Sequence, residues 1–150
     1  IFFIPDMPAA ILTLWHAVRP EGKLAVTTWG PRFLEPATTA FWNAVREVRP
    51  DLYKGFNPWD RISDPESVRA LLRKGGIERA DVVAEANTHP IPSAAAWWSV
   101  VLGSGFRGTV DQLDDAALKH VYQANMSYIQ ASGISSVETN VIYAIAQKQA

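Results

Sequence analysis

The chain reads as an α/β fold with helices in excess. Three observations carry that reading. A helix, a tight turn and a strand follow one another from Asp6 to Trp29; an apolar run from Glu138 to Ala146 has the length of a strand; and between them several helical segments surround one further strand.

The first helix is set by Met7, Ile11, Leu14, Trp15 and Val18, which recur at helical spacing. Pro20 suits the second position of a reverse turn, because its φ is already fixed, and Gly22 suits the fourth. Leu24–Trp29, rich in Val, Thr and Trp, follows as a strand. Gly30–Pro36 is a loop, and Thr38–Val48 a helix with Phe41, Trp42, Val45 and Val48 on one face, ended at Arg49-Pro50. Residues 50–62 lack a period but hold three aromatics, which predicts a packed loop. A helix begins at Ser63-Asp64-Pro65-Glu66, where Ser or Asp can cap and Glu66 completes an S-x-x-E box; Gly75-Gly76 ends it with the left-handed position that favours glycine. Asp81–Thr88 is a strand. Ser93 caps a short helix, AAAWWSVVL, and Gly103 ends it. GSGFRG is a flexible loop. A long helix then runs from Thr109–Gln112 to about Ala131, with Leu118, Val121, Tyr122 and Ile129 inside and Gly133 as its stop. The last run is apolar on both faces around Asn140, which predicts a strand covered on both sides.

A chain of 150 residues fits one domain over 1–150 with a sizeable core. Its formal net charge of -1 shows no basic field, so neither nucleic acid nor an anionic membrane surface is an expected partner. The absence of cysteine excludes disulfides, thiolate metal sites and Cys nucleophiles. It leaves the compartment open, and the cytoplasm is the expected location. IFFIPD has no basic residues ahead of it and is broken by Pro5, Asp6 and Pro8, so it reads as neither a signal peptide nor a membrane span. No H-E-x-x-H, G-x-S-x-G or P-loop occurs, and no metal site is expected.

Phe2-Phe3-Ile4-Pro5-Asp6, the Arg19-Pro20-Glu21-Gly22-Lys23 turn, Gly75-Gly76-Ile77 leading to Ala86, and Val137–Lys148 resemble, in this order, successive passages of class I S-adenosylmethionine-dependent methyltransferases. They are similar to that family's "fFpD" passage after its fourth strand, its "R/K-P-G-G" turn, the approach to its sixth strand, and its last strand. Glu21 stands where the family's turn has its first Gly. The resemblance implies a partial Rossmann-like methyltransferase fold. Its three-stranded mixed sheet would use strands near 24–29, 81–88 and 138–146, the last central and antiparallel, with about five helices. It also implies a helical insertion over 90–133 that caps the substrate site. In the family the donor sits on the first four strands, against a G-x-G-x-G loop. No such motif occurs here before residue 100, and the only G-x-G, Gly103-Ser104-Gly105, follows a helical segment. S-adenosylmethionine is therefore expected as cofactor of a longer parent, with no cofactor-binding residues and no activity in this chain alone.

Methyl transfer asks mainly for alignment, sometimes with a general base. His89, at a strand end before Pro90, is the candidate for that base; His16 and His120 sit within helices, where a surface role is the simpler reading. For a small-molecule acceptor, Trp29 ends the first strand. Trp59 could wall a pocket with Asp60 and Arg61 orienting a polar group, although a loop pinned by a buried Trp gives the same string. Trp97-Trp98 diverge by about 100° on a helix, so one can be buried and the other make contacts. Arg107 could meet an anion or simply be solvated. Asn125, on the apolar stripe, needs a buried partner. Losing the neighbour of strand 24–29 would leave an apolar edge, which predicts a homo-oligomer formed through that edge or by exchange of the Ile1–Ile4 arm. Two other readings stand beside the methyltransferase: a noncatalytic dimeric interaction or ligand-binding module, and an unrelated α+β ligand-binding fold.

Overall fold

In the computed structural model, which describes residues 1–149, a three-stranded sheet is built from β1 (Lys23–Trp29), β2 (Asp81–Glu85) and β5 (Val141–Gln147) in the order β1-β5-β2. β5 runs antiparallel to both neighbours, with Val26 opposite Ala144 and Val82 also opposite Ala144. The last strand is thus central and antiparallel, but every pair is antiparallel, so the sheet is not mixed among the described residues. By contact the chain divides into two units: 1–31, 56–87 and 139–150 form the first, 32–55 and 88–138 the second.

The first unit holds this sheet with α1 (Met7–Ala17) and α3 (Pro65–Lys74). Asp6 caps α1 by accepting the Ala9 N–H at 2.9 Å. The turn beyond α1 closes with the Gly22 N–H on the Arg19 carbonyl (2.9 Å), and Glu21 takes φ 63°, the left-handed geometry that its third position demands. Asp64, not Ser63, caps α3: its carboxylate accepts the N–H groups of Glu66 and Ser67, while Glu66 pairs instead with Arg73. Gly76 (φ 83°) closes α3, with its N–H on the Arg73 carbonyl and that of Ile77 on the Leu72 carbonyl. Met7, Ile11, Val68, Leu71 and Leu72 pack with Val82, Ile142, Ala144 and Ala146 into one core. Only one face of the sheet is covered this way. Val83 (56%), Ile145 (45%) and Tyr143 (39%) are exposed on the other, so the expectation of a last strand covered on both sides fails: both helices lie on the Ile142–Ala146 side.

The second unit is mainly helical: α2 (Ala37–Val48), α4 (Ala94–Leu102), α5 (Arg107–Val110) and α6 (Asp115–Ala131), with a two-stranded ribbon of β3 (Thr88–Pro90) and β4 (Ser136–Glu138). Phe41, Trp42, Val45, Trp97, Phe106, Val121 and Ile129 form its core. GSGFRG is not a flexible loop. Phe106 is buried against Phe41 and Trp42, and its anchoring turns the next four residues into α5. The long helix accordingly starts later, with Asp114 as its cap. Gly133 (φ 60°) stops it, as its position predicts.

Two strands are shorter than expected. The strand predicted over 81–88 stops at Glu85, and the one over 138–146 starts at Val141, with Ser136–Glu138 pairing elsewhere. The Asn140 side chain separates the pieces: it accepts the Asn87 N–H and donates to the Pro31 carbonyl, both at 3.0 Å. Residues 50–62 contain two single-turn 3-10 helices, Pro50–Leu52 and Pro58–Ile62, and six α-helices replace the expected five among the described residues.

Candidate functional site

At the carboxyl end of β1, where β5 begins, the first unit has a cavity of about 330 Å³ lined by Phe2, Thr27, Thr28, Trp29, Val141 and Tyr143. Its formation follows from strand alternation. Thr27 and Trp29 project to the open face of the sheet, where Tyr143 stands opposite Thr27 and Val141 opposite Trp29. Phe2 arrives from the N-terminal arm. A turn with the Ile4 N–H on the Ile1 carbonyl (3.0 Å) shapes the arm, and Arg61 donates to the Phe2 carbonyl at 3.2 Å. The Phe2 ring meets Trp59 edge to face, centroids 5.7 Å apart.

Four of the expected site residues therefore fall in one neighbourhood with different tasks. Trp29 lines the cavity. Trp59 and Arg61 hold Phe2 in place beside it. Asp60 accepts the Asn57 N–H at 2.7 Å and closes the turn that carries Trp59. Residue type and spacing do not single out Phe2, Thr27, Thr28, Val141 or Tyr143. Only alternation along β1 could have flagged Thr27, and nothing local couples Phe2 to Trp29. No side chain in the lining is a carboxylate, histidine or cation. The chemistry on offer is alignment of a flat, largely apolar molecule, with hydroxyls at hand, and not proton abstraction by a strong base.

The remaining expected residues lie in the second unit. Trp97 is fully buried; its indole N–H donates to Asn125 Oδ1 at 2.9 Å, and Asn125 in turn donates to the Val121 carbonyl at 2.8 Å. Asn125 thereby finds its partner on α4. Trp98 points the other way, as neighbours on a helix do, and meets Tyr122 edge to face at 5.1 Å. With Asp115, Leu118 and Lys119 these two rings line a second cavity of about 310 Å³. Arg107 is exposed and pairs with Asp111 at 3.5 Å. His89 is exposed on β3, opposite Val137. His16 is exposed on α1, and His120 lies 3.0 Å from Glu47 on the surface.

A Gly-rich donor loop joins a strand to a helix. Gly103-Ser104-Gly105 instead joins α4 to α5, so the residues present do not fit that use. Among the described residues no group of three His, Asp or Glu side chains could hold a metal ion, and no helix is long and apolar enough to cross a membrane.

No protein-family model and no curated protein matches the chain. Among solved structures it is similar to phosphoethanolamine N-methyltransferase 2 of Haemonchus contortus, in complex with phosphomonomethylethanolamine and S-adenosylhomocysteine. The TM-score is 0.40 and the identity 14%, over 100% of this chain and 32% of that one. A likeness of that size establishes neither family nor activity, and the chain spans less than a third of the length of that structure.

Proposed function

We propose that this chain is the C-terminal, acceptor-binding part of an S-adenosylmethionine-dependent methyltransferase acting on a small molecule. The observation that carries the reading is the sheet: β5 runs antiparallel between β1 and β2, the arrangement that the resemblance implies for the family's last strand, and a cavity opens at the carboxyl end of β1. In this reading Phe2, Trp29 and Tyr143 wall the acceptor, and Trp59 and Arg61 fix Phe2. The donor is held by residues outside this chain, which by itself neither binds it nor turns over.

Calorimetric titration with S-adenosylmethionine and S-adenosylhomocysteine tests this. The 150-residue chain is expected to give no heat. A chain extended by coding sequence upstream of Ile1 is expected to bind both and to transfer a labelled methyl group. Micromolar binding by the chain alone overturns the division of labour. An extended chain that binds neither compound overturns the methyltransferase reading. The second reading, a noncatalytic interaction module, is favoured by one observation: the apolar sheet face left exposed at Val83, Tyr143 and Ile145.

A further inference from the structure

On the second unit, α6 carries Asp115, Leu118, Lys119 and Tyr122 at the spacing that puts them on one helical face. With Trp98 of α4 they line the cavity of about 310 Å³. Its walls are the Trp98 and Tyr122 rings, with centroids 5.1 Å apart and planes at 85°. Perpendicular rings make a corner that can take the apolar end of a small molecule against a ring face on one side and a ring edge on the other. Half-buried Leu118 adds an aliphatic surface beside them.

The charges at this cavity differ from their neighbours in sequence. Asp114 caps α6 by accepting the Ala117 N–H at 2.8 Å, Arg107 pairs with Asp111, and His120 lies 3.0 Å from Glu47. Among the described residues, Asp115 and Lys119 are the ionisable side chains of this stretch that have neither an ion pair nor a side-chain hydrogen bond. They are four positions apart with the acid first, a spacing that favours pairing on a helix, yet they do not pair with each other. Both border the cavity instead.

We propose that this cavity binds a free α-amino acid with an aromatic or large aliphatic side chain. Its ammonium group pairs with Asp115, its carboxylate with Lys119, and its side chain fills the corner between Trp98 and Tyr122. Charge complementarity selects this class. An organic cation would meet Lys119 and an organic anion would meet Asp115, in each case a like charge, and a neutral molecule would engage neither. An α-amino acid carries both charges on one carbon atom, within reach of two side chains one helical turn apart. A peptide carries them at opposite ends, so it cannot bridge the two residues in this way. The site lies wholly within the second unit, and the inference does not depend on the methyltransferase reading.

Titration of L-phenylalanine into the isotopically labelled 150-residue chain, followed by the amide and indole N–H resonances, tests it. Saturable shifts at millimolar ligand are expected at the Trp98 indole and at the amides from Leu118 to Tyr122. The Trp97 indole N–H, bonded to Asn125 on the other side of α4, is expected to stay in place. Phenethylamine lacks the carboxylate and phenylpropionate the ammonium; each is expected to bind about tenfold more weakly or worse, as is L-phenylalanine to Asp115→Asn or Lys119→Met. Both substitutions are at exposed positions, so the variants are expected to fold, and an unchanged amide spectrum elsewhere checks that. Absence of saturable shifts at Trp98 overturns the proposal. So does equal binding of either analogue, or equal binding by both charge variants. Shifts at Trp98 that follow protein concentration without ligand would put a second copy of the chain in the cavity, and would also overturn it.

Discussion

The two units distribute their apolar surface differently. The second packs a core drawn from many segments, with Phe41, Val45, Trp97, Val101 and Val121 all at or near zero exposure and the buried amide of Asn125 satisfied by Trp97 and by the Val121 carbonyl, and leaves single residues such as Leu102 and Tyr128 exposed. The first covers one face of its sheet and leaves Val83, Tyr143 and Ile145 in solvent. Each unit also carries one of the two larger cavities: that of about 310 Å³ lies beside Trp98 and Tyr122 on the second, that of about 330 Å³ at the open sheet of the first. The aromatic cavity at the end of β1 belongs to the open region.

Substitution at Trp97 is the severest way to test that contrast. Trp97→Ala empties the middle of the second unit's core and strands Asn125, and should cost about 3–5 kcal/mol in urea unfolding. Trp98→Ala, one residue away and half-buried, should cost well under half as much. Equal losses would mean that the core is not centred on Trp97. Asn125→Ala should cost about 1–3 kcal/mol by leaving the Trp97 N–H buried and unpaired.

Each unit also buries a threonine hydroxyl with no hydrogen-bond partner, Thr28 in the first and Thr109 in the second. Thr28→Val and Thr109→Val should each stabilise by about 1 kcal/mol, since the isosteric methyl removes an uncompensated polar group. A loss of stability in either variant would show that its hydroxyl is bonded in solution.

Asp64 offers a test by pH. The Ser67 N–H and hydroxyl, with the Glu66 N–H, hold its carboxyl below the usual carboxylate range. A folded-state pKa below the unfolded one, about 3.9, stabilises the chain above that pH, and the contribution disappears as pH falls through the folded value. Asp64→Ala should cost about 1 kcal/mol at neutral pH and flatten the acid limb of the stability curve. An unchanged acid limb would remove Asp64 from the account. The smallest effect belongs to the open face: Val83→Thr and Ile145→Thr should change stability by less than about 0.5 kcal/mol. A larger loss would mean that this face is covered in solution.

What could be read before any coordinates was what short-range physics decides. Ser93 caps a helix because a short polar side chain reaches an N–H three residues on. Gly76 and Gly133 end helices because the closing residue needs positive φ. Spacing alone favoured burial of one of Trp97 and Trp98 over burial of both, and β1 emerged within a residue of its observed start. The site was legible only in part: Trp29, Trp59, Asp60 and Arg61 stood out as unusual, but not what each does.

Long-range contacts decided the remainder. GSGFRG has the composition of a flexible loop, yet burial of Phe106 against Phe41 and Trp42 outweighs the glycines' preference for disorder. The apolar outer face of β5 suggested a second covering layer, and only the placement of α1 and α3 on one side showed it bare. Phe2 stands 27 positions before Trp29 in the sequence and beside it in the cavity. Local signals specify where helices and strands begin and end, because caps, turns and periodicity act over a few residues. Which apolar surfaces meet, and which are left to bind something else, depends on contacts between distant segments, and that was settled by the tertiary fold.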